Sequence, residues 1–209
     1  IETKDDLENL VGDIPILGEL PNLKNGDHKI IGQDDRSIMA EALRVVRSNL
    51  SFLYIKKENT NSATKILVTS SVKGEGKTLT AINLATILSN ANKKTLLLGI
   101  DLRNPQVSNY LQGVEGVQLK HQGLVEYLKF NGDKDISKIT SYKAKNDYLD
   151  IILSGQIPPN PAELLMDRAA LNDFFSRVEK DYDYIILDSA PLMLVADSLE
   201  LTPHVDMTI

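Results

Sequence analysis

The stretch that decides the fold reads Lys65-Ile66-Leu67-Val68-Thr69-Ser70-Ser71-Val72-Lys73-Gly74-Glu75-Gly76-Lys77-Thr78. Residues 65–69 favour a strand, and the apolar residues 79–88 that follow the stretch favour a helix. A strand, a Gly-rich turn and a helix in this order predict a phosphate-binding loop, because the N–H groups of the turn and the helix N-terminus together attract an anion. Gly74 and Gly76 allow positive φ angles and a close approach of the backbone to a phosphate.

Each part of this loop has an expected role in binding a nucleoside triphosphate. Lys77 can reach the β- and γ-phosphates, and the hydroxyl of Thr78 can bind Mg²⁺. The other loop residues are expected to surround the phosphates; they are Ser71, Val72, Lys73, Gly74, Glu75 and Gly76. Ser71 stands where the strict pattern has its first glycine. The alternative is an ordinary Gly-rich turn, which the Gly-x-Gly-Lys-Thr sequence at a strand-to-helix junction disfavours.

The composition excludes several classes of protein and site. A chain of 209 residues is most simply one domain with a substantial core, and its formal net charge of -6 provides no broad basic field for nucleic acid. The absence of cysteine excludes disulfides and thiolate metal sites. His28, His121 and His204 lack metal-ligand spacing and are expected to be surface or packing residues. No apolar run reaches the ~18 residues of a membrane span, and no secretory signal is present.

The rest of the chain alternates between strand and helix patterns. The runs at 95–100, 148–153 and 182–187 predict strands. Helices are predicted at 38–56, 123–130, 161–180 and from 194 to 201, with Asn160 and Glu163 as a capping pair. This order predicts an α/β fold: a doubly wound, mostly parallel sheet with helices on both faces. Residues 106–147 have no clear pattern, and residues 205–209 resemble a strand that is cut short, so we expect a fragment of a longer chain.

Two aspartates follow apolar strands. Asp101 ends the strand at 95–100 and Asp188 ends the strand at 182–187. The carboxyl ends of parallel strands carry the ligand site in such sheets, so both carboxylates should lie beside the phosphate loop. Few protein oxygens suffice for Mg²⁺, which keeps several waters. We therefore predict that Thr78, Asp101 and Asp188 hold the metal, although either aspartate alone could be a helix cap or a loop residue.

A charged pattern lies on the predicted helix at 38–56. Glu41, Arg44 and Arg47 are three residues apart and therefore lie side by side on the helix surface. From spacing alone, a solvated face with one weak ion pair is as good an interpretation as a binding surface.

These motifs resemble those of the bacterial tyrosine kinases of capsule and exopolysaccharide synthesis, which belong to the deviant Walker A P-loop ATPases. The Walker A loop corresponds to residues 71–78, the A′ motif to 98–103 and the Walker B strand to 185–191. The loop Gly155-Gln156-Ile157-Pro158-Pro159-Asn160-Pro161 is similar to one that is particular to the family. Glu41, Arg44 and Arg47 match its self-association motif, and residues 14–18 are similar to the segment that follows its second membrane helix.

The resemblance implies a function and a setting. It implies an ATP- and Mg²⁺-dependent protein-tyrosine kinase that phosphorylates neighbouring copies and regulates polysaccharide polymerisation and export. Lys77, Asp101 and Asp188 would be catalytic, and Arg103 would join the loop residues in binding the nucleotide. Residues 1–36 would be a juxtamembrane linker with an edge segment, and residues 37–209 an incomplete kinase domain.

The resemblance also implies partners and a location. The chain would form a ring-like homo-oligomer through the helix that carries Glu41, Arg44 and Arg47. It would work with a transmembrane activator region and a tyrosine phosphatase, without nucleic acid, at the cytoplasmic face of the bacterial inner membrane.

The sequence departs from the family pattern at three places. Gly99 replaces the first aspartate of the A′ motif, which is associated with activation of the attacking hydroxyl, so a weakened kinase is expected. Lys73 stands where the family often has proline, and Val72 occupies the position of the extra lysine of the partitioning ATPases, which disfavours a partitioning-type ATPase. The tyrosine-rich tail is absent, so the acceptor is expected beyond Ile209. The seven tyrosines are scattered: Tyr54, Tyr110, Tyr127, Tyr142, Tyr148, Tyr182 and Tyr184.

The loss of the aspartate at Gly99 keeps a second function open. The domain could be a nucleotide-gated assembly module of the polysaccharide export machinery, with little catalysis. The otherwise complete set of Lys77, Thr78, Asp101 and Asp188 favours the kinase.

Overall fold

A central sheet organises the molecule. The computed structural model describes residues 4–23, 30–53, 62–114, 116–130, 135–143 and 146–209, with only the backbone of residues 142 and 143. Within these residues, seven strands form one sheet in the order β3-β4-β5-β2-β6-β1-β7. Their bounds are β1 Thr64–Val68, β2 Thr95–Gly99, β3 Val117–Gln118, β4 Thr140–Lys143, β5 Leu149–Ile152, β6 Tyr184–Asp188 and β7 Met207–Thr208.

The sheet is mostly parallel, as predicted. Strands β5, β2, β6, β1 and β7 run in the same direction, and β6 lies between β1 and β2. At one edge, β4 pairs antiparallel with β5, and β3 pairs antiparallel with β4. This antiparallel edge is built mainly from residues 106–147, the stretch without a clear sequence pattern.

Helices cover both faces of the sheet. Their bounds are α1 Lys4–Val11, α2 Ile38–Leu53, α3 Lys77–Asn90, α4 Val107–Leu111, α5 Leu124–Lys129, α6 Pro161–Met166, α7 Arg168–Val178 and α8 Asp197–Glu200. Two 3-10 turns are also present: Ile136–Lys138 lies between α5 and α6, and Thr202–His204 follows α8. On one face α2, α3 and α4 pack, and on the other α5, α6 and α7 pack.

The pleat of the strands explains how one sheet supports two cores. Along β2, Leu97 points to the core of α2, α3 and α4, whereas Leu96 and Leu98 point to the opposite core. Because both faces are covered, consecutive residues of β2 are all buried, which is why its sequence is continuously apolar. Helix α3 is buried on most of its surface and has buried polar as well as apolar side chains, consistent with its position against the sheet.

Several predicted element boundaries are corrected by the structure. The helix predicted at 161–180 is two helices, because the chain breaks at Asp167, whose carboxylate accepts the amide of Ala170 and begins α7. Asn160 is the N-cap residue of α6, as predicted, but its side chain makes no capping bond to the helix backbone; its amide donates to Glu163 Oε2 at 3.2 Å. The helix predicted from 194 is only the four residues of α8.

The N-terminal part differs from the prediction as well. Residues 4–11 form α1, whose residues are not buried, and residues 14–21, the predicted edge segment, form neither a helix nor a strand of the sheet. Leu17 and Leu20 pack against the core under α2. In α2, Leu43, Val46 and Leu50 are buried as predicted, whereas Leu53 is exposed. The predicted end of this helix at 54–56, His28 and Tyr54 lie outside the described residues.

Candidate active site

The phosphate loop connects β1 to α3. Gly74 and Gly76 both have φ angles of 95°, in the left-handed region that only glycine adopts without strain, as predicted. Gly76 is the N-cap of α3, so the helix begins at Lys77 and its first N–H groups lie free of the helix ladder. The loop therefore presents backbone donors and a helix N-terminus at one place, the arrangement that binds phosphate.

Lys77, Thr78, Asp101 and Asp188 form one polar cluster, as predicted. The Lys77 ammonium lies 3.3 Å from Asp101 Oδ2 and 3.4 Å from Asp188 Oδ1. The Thr78 hydroxyl lies 3.0 Å from both carboxylate oxygens of Asp188. Asp188 is the last residue of β6 and Asp101 follows β2 by two residues, so adjacent parallel strands deliver the two carboxylates to the same edge.

Both carboxylates of the cluster are buried. Asp101 is 3% exposed and Asp188 is 1% exposed. Burial raises the pKa of Asp188 to about 6, although Lys77 and the Thr78 hydroxyl favour its ionised form. A carboxylate that is desolvated and only partly compensated is a strong site for a further cation.

The turn after β2 is shaped by Asp101 itself. Asp101 Oδ1 accepts the amide of Arg103 at 3.2 Å and that of Asn104 at 2.9 Å. These bonds occupy one carboxylate oxygen and leave Oδ2 facing Lys77. The side chain of Arg103 makes a two-bond ion pair with Asp197, which sequence reasoning did not identify.

The Glu75 side chain hydrogen-bonds to the backbone at the start of the phosphate loop, a contact that the sequence did not predict. Its Oε2 accepts the amide of Ser71 at 2.8 Å and that of Val72 at 3.1 Å. Two amides at the start of the loop are therefore engaged by a side chain of the loop, whereas Lys77 and Thr78 face the aspartates.

An open cleft adjoins the cluster. It has a volume of about 900 Å³ and is bounded by the phosphate loop, the turn at 101–106 and the segment at 190–195. Its far wall is largely apolar and comes from residues 20–23 and the α2 side chains Met39 and Leu43. Arg103 and Lys73, both predicted to contact nucleotide, line it.

The residues present fit a triphosphate with Mg²⁺. Thr78, Asp101 and Asp188 supply only oxygen, which is the donor type that Mg²⁺ prefers, and the metal would complete its shell with phosphate oxygens and water. Within the part of the chain that the structure describes, no group of three or more Asp, Glu, His or Cys is placed to hold a metal, so such additional ligands are needed. Asp101 and Asp188 would share the metal with Thr78, and Lys77 would neutralise phosphate charge.

Position 99 is packed for glycine. A Cβ at Gly99 would lie 3.3 Å from the backbone nitrogen of Ser154 and 3.5 Å from Val107 Cγ2. In the sheet Gly99 is aligned with Asp188. Position 99 therefore has little room for a larger side chain.

Comparison with known proteins identifies the family. Residues 63–204 match the AAA domain family. The chain is 31% identical over 170 residues to the tyrosine-protein kinase YwqD of Bacillus subtilis, a match that covers 79% of this chain and 64% of that protein. It is 37% identical over 145 residues to the tyrosine-protein kinase CpsD of Streptococcus pneumoniae, which covers 69% of this chain and 60% of that protein.

The chain belongs to the AAA domain family, and the two relatives just named are tyrosine-protein kinases. The kinase domain of the Escherichia coli tyrosine kinase ETK superimposes with a TM-score of 0.81 at 25% identity, over 100% of this chain and 80% of that one. The chimerical protein CapA2B2 superimposes with a TM-score of 0.80 at 27% identity, over 96% and 81% of the two chains. The chain spans less than two thirds of the length of the curated relatives just named.

Two of the motifs that carry the family resemblance lie away from the cleft. Residues 155–161 are tied to α5, because Glu126 Oε1 accepts the amide of Gln156 at 2.9 Å, and none of these seven described residues lines the cleft. On α2, Arg44 pairs with Glu41 and also donates to the carbonyl of Asp35 at 2.6 Å. Arg47 donates to the carbonyl of Ile87 at 3.4 Å.

The two described histidines agree with the prediction that they are surface or packing residues. His121 is exposed, and His204 is buried and stacks on Phe175 with 5.8 Å between ring centroids. No described helix is long and apolar enough to cross a membrane.

Proposed function

We propose that this chain is the nucleotide-binding and catalytic part of an ATP- and Mg²⁺-dependent protein-tyrosine kinase. The observation that carries the proposal is the convergence of Lys77, Thr78, Asp101 and Asp188, through contacts of 3.4 Å or less, at the end of the phosphate loop. Relatives that share this fold are named tyrosine-protein kinases, which supports the same reaction class here. The acceptor would be a tyrosine on a neighbouring copy.

Each residue of the cluster has a role in the proposed transfer. Lys77 and the loop amides hold the β- and γ-phosphates in line with the acceptor, while Thr78, Asp101 and Asp188 position Mg²⁺. Bound Mg²⁺ supplies neutralisation of the charge that develops on the phosphate oxygens. Arg103 lines the cleft and adds positive charge beside it.

The glycine at position 99 weakens this kinase without removing its chemistry. Phosphoryl transfer has a loose transition state, so positioning and charge neutralisation dominate its catalysis. A missing base costs a factor of roughly 10²–10⁴ unless another group acts in its place. We propose that Asp101, whose Oδ2 lies 3.3 Å from Lys77, acts in place of the missing base.

Lys77→Met tests the kinase directly. In the full-length protein with its acceptor tail, the variant should form no phosphotyrosine when ATP and Mg²⁺ are supplied, because the phosphates lose their cation. Lys180→Met, at an exposed lysine beyond α7, is the matched control and should behave as wild type. Undiminished phosphotyrosine in Lys77→Met would rule out this site as the origin of the activity.

A second candidate function is supported by the surface of α2. Ile38, Val45 and Phe52 recur every seven residues and are 79%, 53% and 79% exposed, so one outward stripe of the helix is apolar. The stripe lies on the same helix as Glu41 and Arg44. An exposed apolar stripe of this kind favours contact with another protein, which fits a nucleotide-gated assembly module of polysaccharide export.

We propose that α2 mediates self-association into a ring-like homo-oligomer in either function. Arg44→Ala combined with Arg47→Ala should give a smaller assembly of the full-length protein with an unchanged circular dichroism spectrum. Size-exclusion chromatography with light scattering measures it, and an unchanged mass would leave these charges as a solvated face. Lys4→Ala on α1 is the control for removal of a surface charge.

Radiolabelled ATP and a tyrosine-containing tail peptide separate the kinase from the assembly module. Label on the peptide, lost in Lys77→Met, supports the kinase, whereas nucleotide binding without label supports the assembly module. In both cases we propose residues 37–209 as the nucleotide-binding domain and residues 1–36 as the linker to a transmembrane activator region. The setting would be the cytoplasmic face of the inner membrane, with a tyrosine phosphatase as the opposing enzyme and no nucleic acid.

A further inference from the structure

Asp197 is a buried acid at the first position of α8. It is 7% exposed on its side chain and accepts two hydrogen bonds from the Arg103 guanidinium: Nε to Oδ2 at 2.7 Å and Nη2 to Oδ1 at 3.0 Å. Two parallel bonds between a guanidinium and a carboxylate fix the orientation of both groups as well as their distance. A pair with this geometry orients the segment on which each partner lies.

The two partners lie on different segments of the candidate site. Arg103 belongs to the turn in which Asp101 Oδ1 accepts the amides of Arg103 and Asn104. Asp197 follows the segment at 190–195, which is bonded to the beginning of the phosphate loop: Leu192 donates to the carbonyl of residue 70 at 2.8 Å and Met193 to that of residue 71 at 3.1 Å. The ion pair therefore links the turn of Asp101 to the segment that contacts the phosphate loop.

We propose that Asp197 is a positioning residue for the Mg²⁺-nucleotide site, acting through Arg103. Asp197 holds the Arg103 guanidinium and thereby fixes the turn at residues 101–104. The amides of this turn donate to Asp101 Oδ1, so Asp101 Oδ2 stays directed at Lys77. This inference rests on the proposed nucleotide function and adds the Arg103–Asp197 pair as a support for the metal ligand Asp101. It also changes the expected role of Arg103, which then serves to orient Asp101 in addition to lining the cleft.

The competing interpretation is that the Arg103–Asp197 pair only stabilises the fold. The solvent exposure of Arg103 allows the two interpretations to be separated with a variant that still folds. The Arg103 side chain is 40% exposed, so water can solvate its guanidinium when the Asp197 carboxylate is removed. Asp197→Asn leaves Arg103 free to turn into solvent, so no charge is stranded in the interior. The variant should therefore fold, and its effect should be confined to the metal-dependent part of nucleotide binding.

Calorimetry of ATP binding to the purified chain, once with Mg²⁺ and once with EDTA, tests the proposal. Loss of a contact that orients a metal ligand typically lowers metal affinity by about 10- to 100-fold, so Asp197→Asn should weaken ATP binding with Mg²⁺ by about 10-fold or more. Binding in EDTA should stay within about twofold of wild type, because the loop amides and Lys77 are untouched. Arg103→Lys should act in the same direction, since lysine cannot form the two-bond fork.

Asp173→Asn is the matched control. It removes the partner of Arg177 in an exposed pair on α7 and should change neither measurement. An Asp197→Asn variant with wild-type affinity in Mg²⁺, or one weakened equally in Mg²⁺ and EDTA, overturns the inference while leaving the proposed function intact. A wild-type chain that binds no ATP in Mg²⁺ overturns both. If Asp197→Asn does not fold, the same two measurements on Asp197→Glu decide between these outcomes, because the longer side chain keeps the charge but shifts the carboxylate out of its two-bond geometry with Arg103.

Discussion

Asp188→Asn should make the nucleotide-free protein more stable at pH 8 while removing its ability to bind Mg²⁺-ATP. Asp188 is 1% exposed, and burial raises its pKa from 3.8 to about 6. Each pKa unit corresponds to about 1.4 kcal/mol of difference between the two protonation states. Ionised Asp188 therefore costs the folded chain up to about 3 kcal/mol when no metal compensates it.

The amide variant should regain part of that energy. The amide oxygen of the substituted side chain would still accept the Thr78 hydroxyl, and Lys77 keeps Asp101 at 3.3 Å, so no cation is left without a partner. We expect a gain of about 1–3 kcal/mol, which for a chain of this length raises the Tm by roughly 2–4 °C per kcal/mol. This increase in the free energy of unfolding would be the stability that the chain gives up by keeping an ionisable metal ligand at position 188.

The pH dependence follows from the direction of the shift. Because the pKa of Asp188 is higher in the folded chain than in the unfolded chain, folding favours the protonated form. The difference in stability between variant and wild type should be full above pH 6, decrease as the pH falls from about 6 to about 4, and vanish below that.

Thermal unfolding followed by circular dichroism in EDTA at about pH 8, 6 and 4 tests this. Asp173→Asn, at an exposed ion pair of α7, is the control and should shift the Tm little at any of these pH values. An Asp188→Asn variant that is less stable than wild type at the highest pH would refute the reasoning. In that case Lys77 and Thr78 would compensate the carboxylate fully.

Two further predictions concern the core. Burial lowers the pKa of His204, so folding favours the neutral ring. The stability of the fold should therefore be full above the ordinary histidine pKa of 6.5 and decrease as the pH falls below it. His204→Phe should remove this decrease, as measured by urea denaturation between about pH 7.5 and 5. Phe174 is fully buried and makes edge-to-face contacts with Tyr127 and Phe175 at 5.3 and 5.4 Å between centroids. Phe174→Ala should therefore cost about 3–5 kcal/mol in the same assay, and a cost below about 1 kcal/mol would contradict this packing.

The parts of the site that depend on local order could be predicted from the sequence. The phosphate loop is a continuous stretch, so Gly74, Gly76 and Lys77 could be assigned from spacing alone. Asp101 and Asp188 could be assigned because parallel strands deliver their carboxyl ends to one edge. Each of these inferences needs only a strand pattern and the residue that follows it.

The contacts that could not be predicted join distant parts of the chain. Arg103 and Asp197 are 94 positions apart and have no shared pattern, so only the folded chain reveals the pair. The antiparallel edge was missed because β3 has two residues and β4 has four, too few for a period to be read. The break at Asp167 was missed because a side-chain cap competes there with a continuous apolar pattern.

The position of Lys77 has a consequence for the order in which ligands enter. Its ammonium already stands between Asp101 and Asp188, at 3.3 and 3.4 Å, as a built-in counter-ion for two acids that would otherwise repel each other. A divalent ion without nucleotide would have to displace the Lys77 ammonium from between the two carboxylates. A divalent ion bound to a triphosphate also supplies phosphate oxygens, with which the ammonium can pair instead. Metal and nucleotide should therefore bind together rather than one after the other.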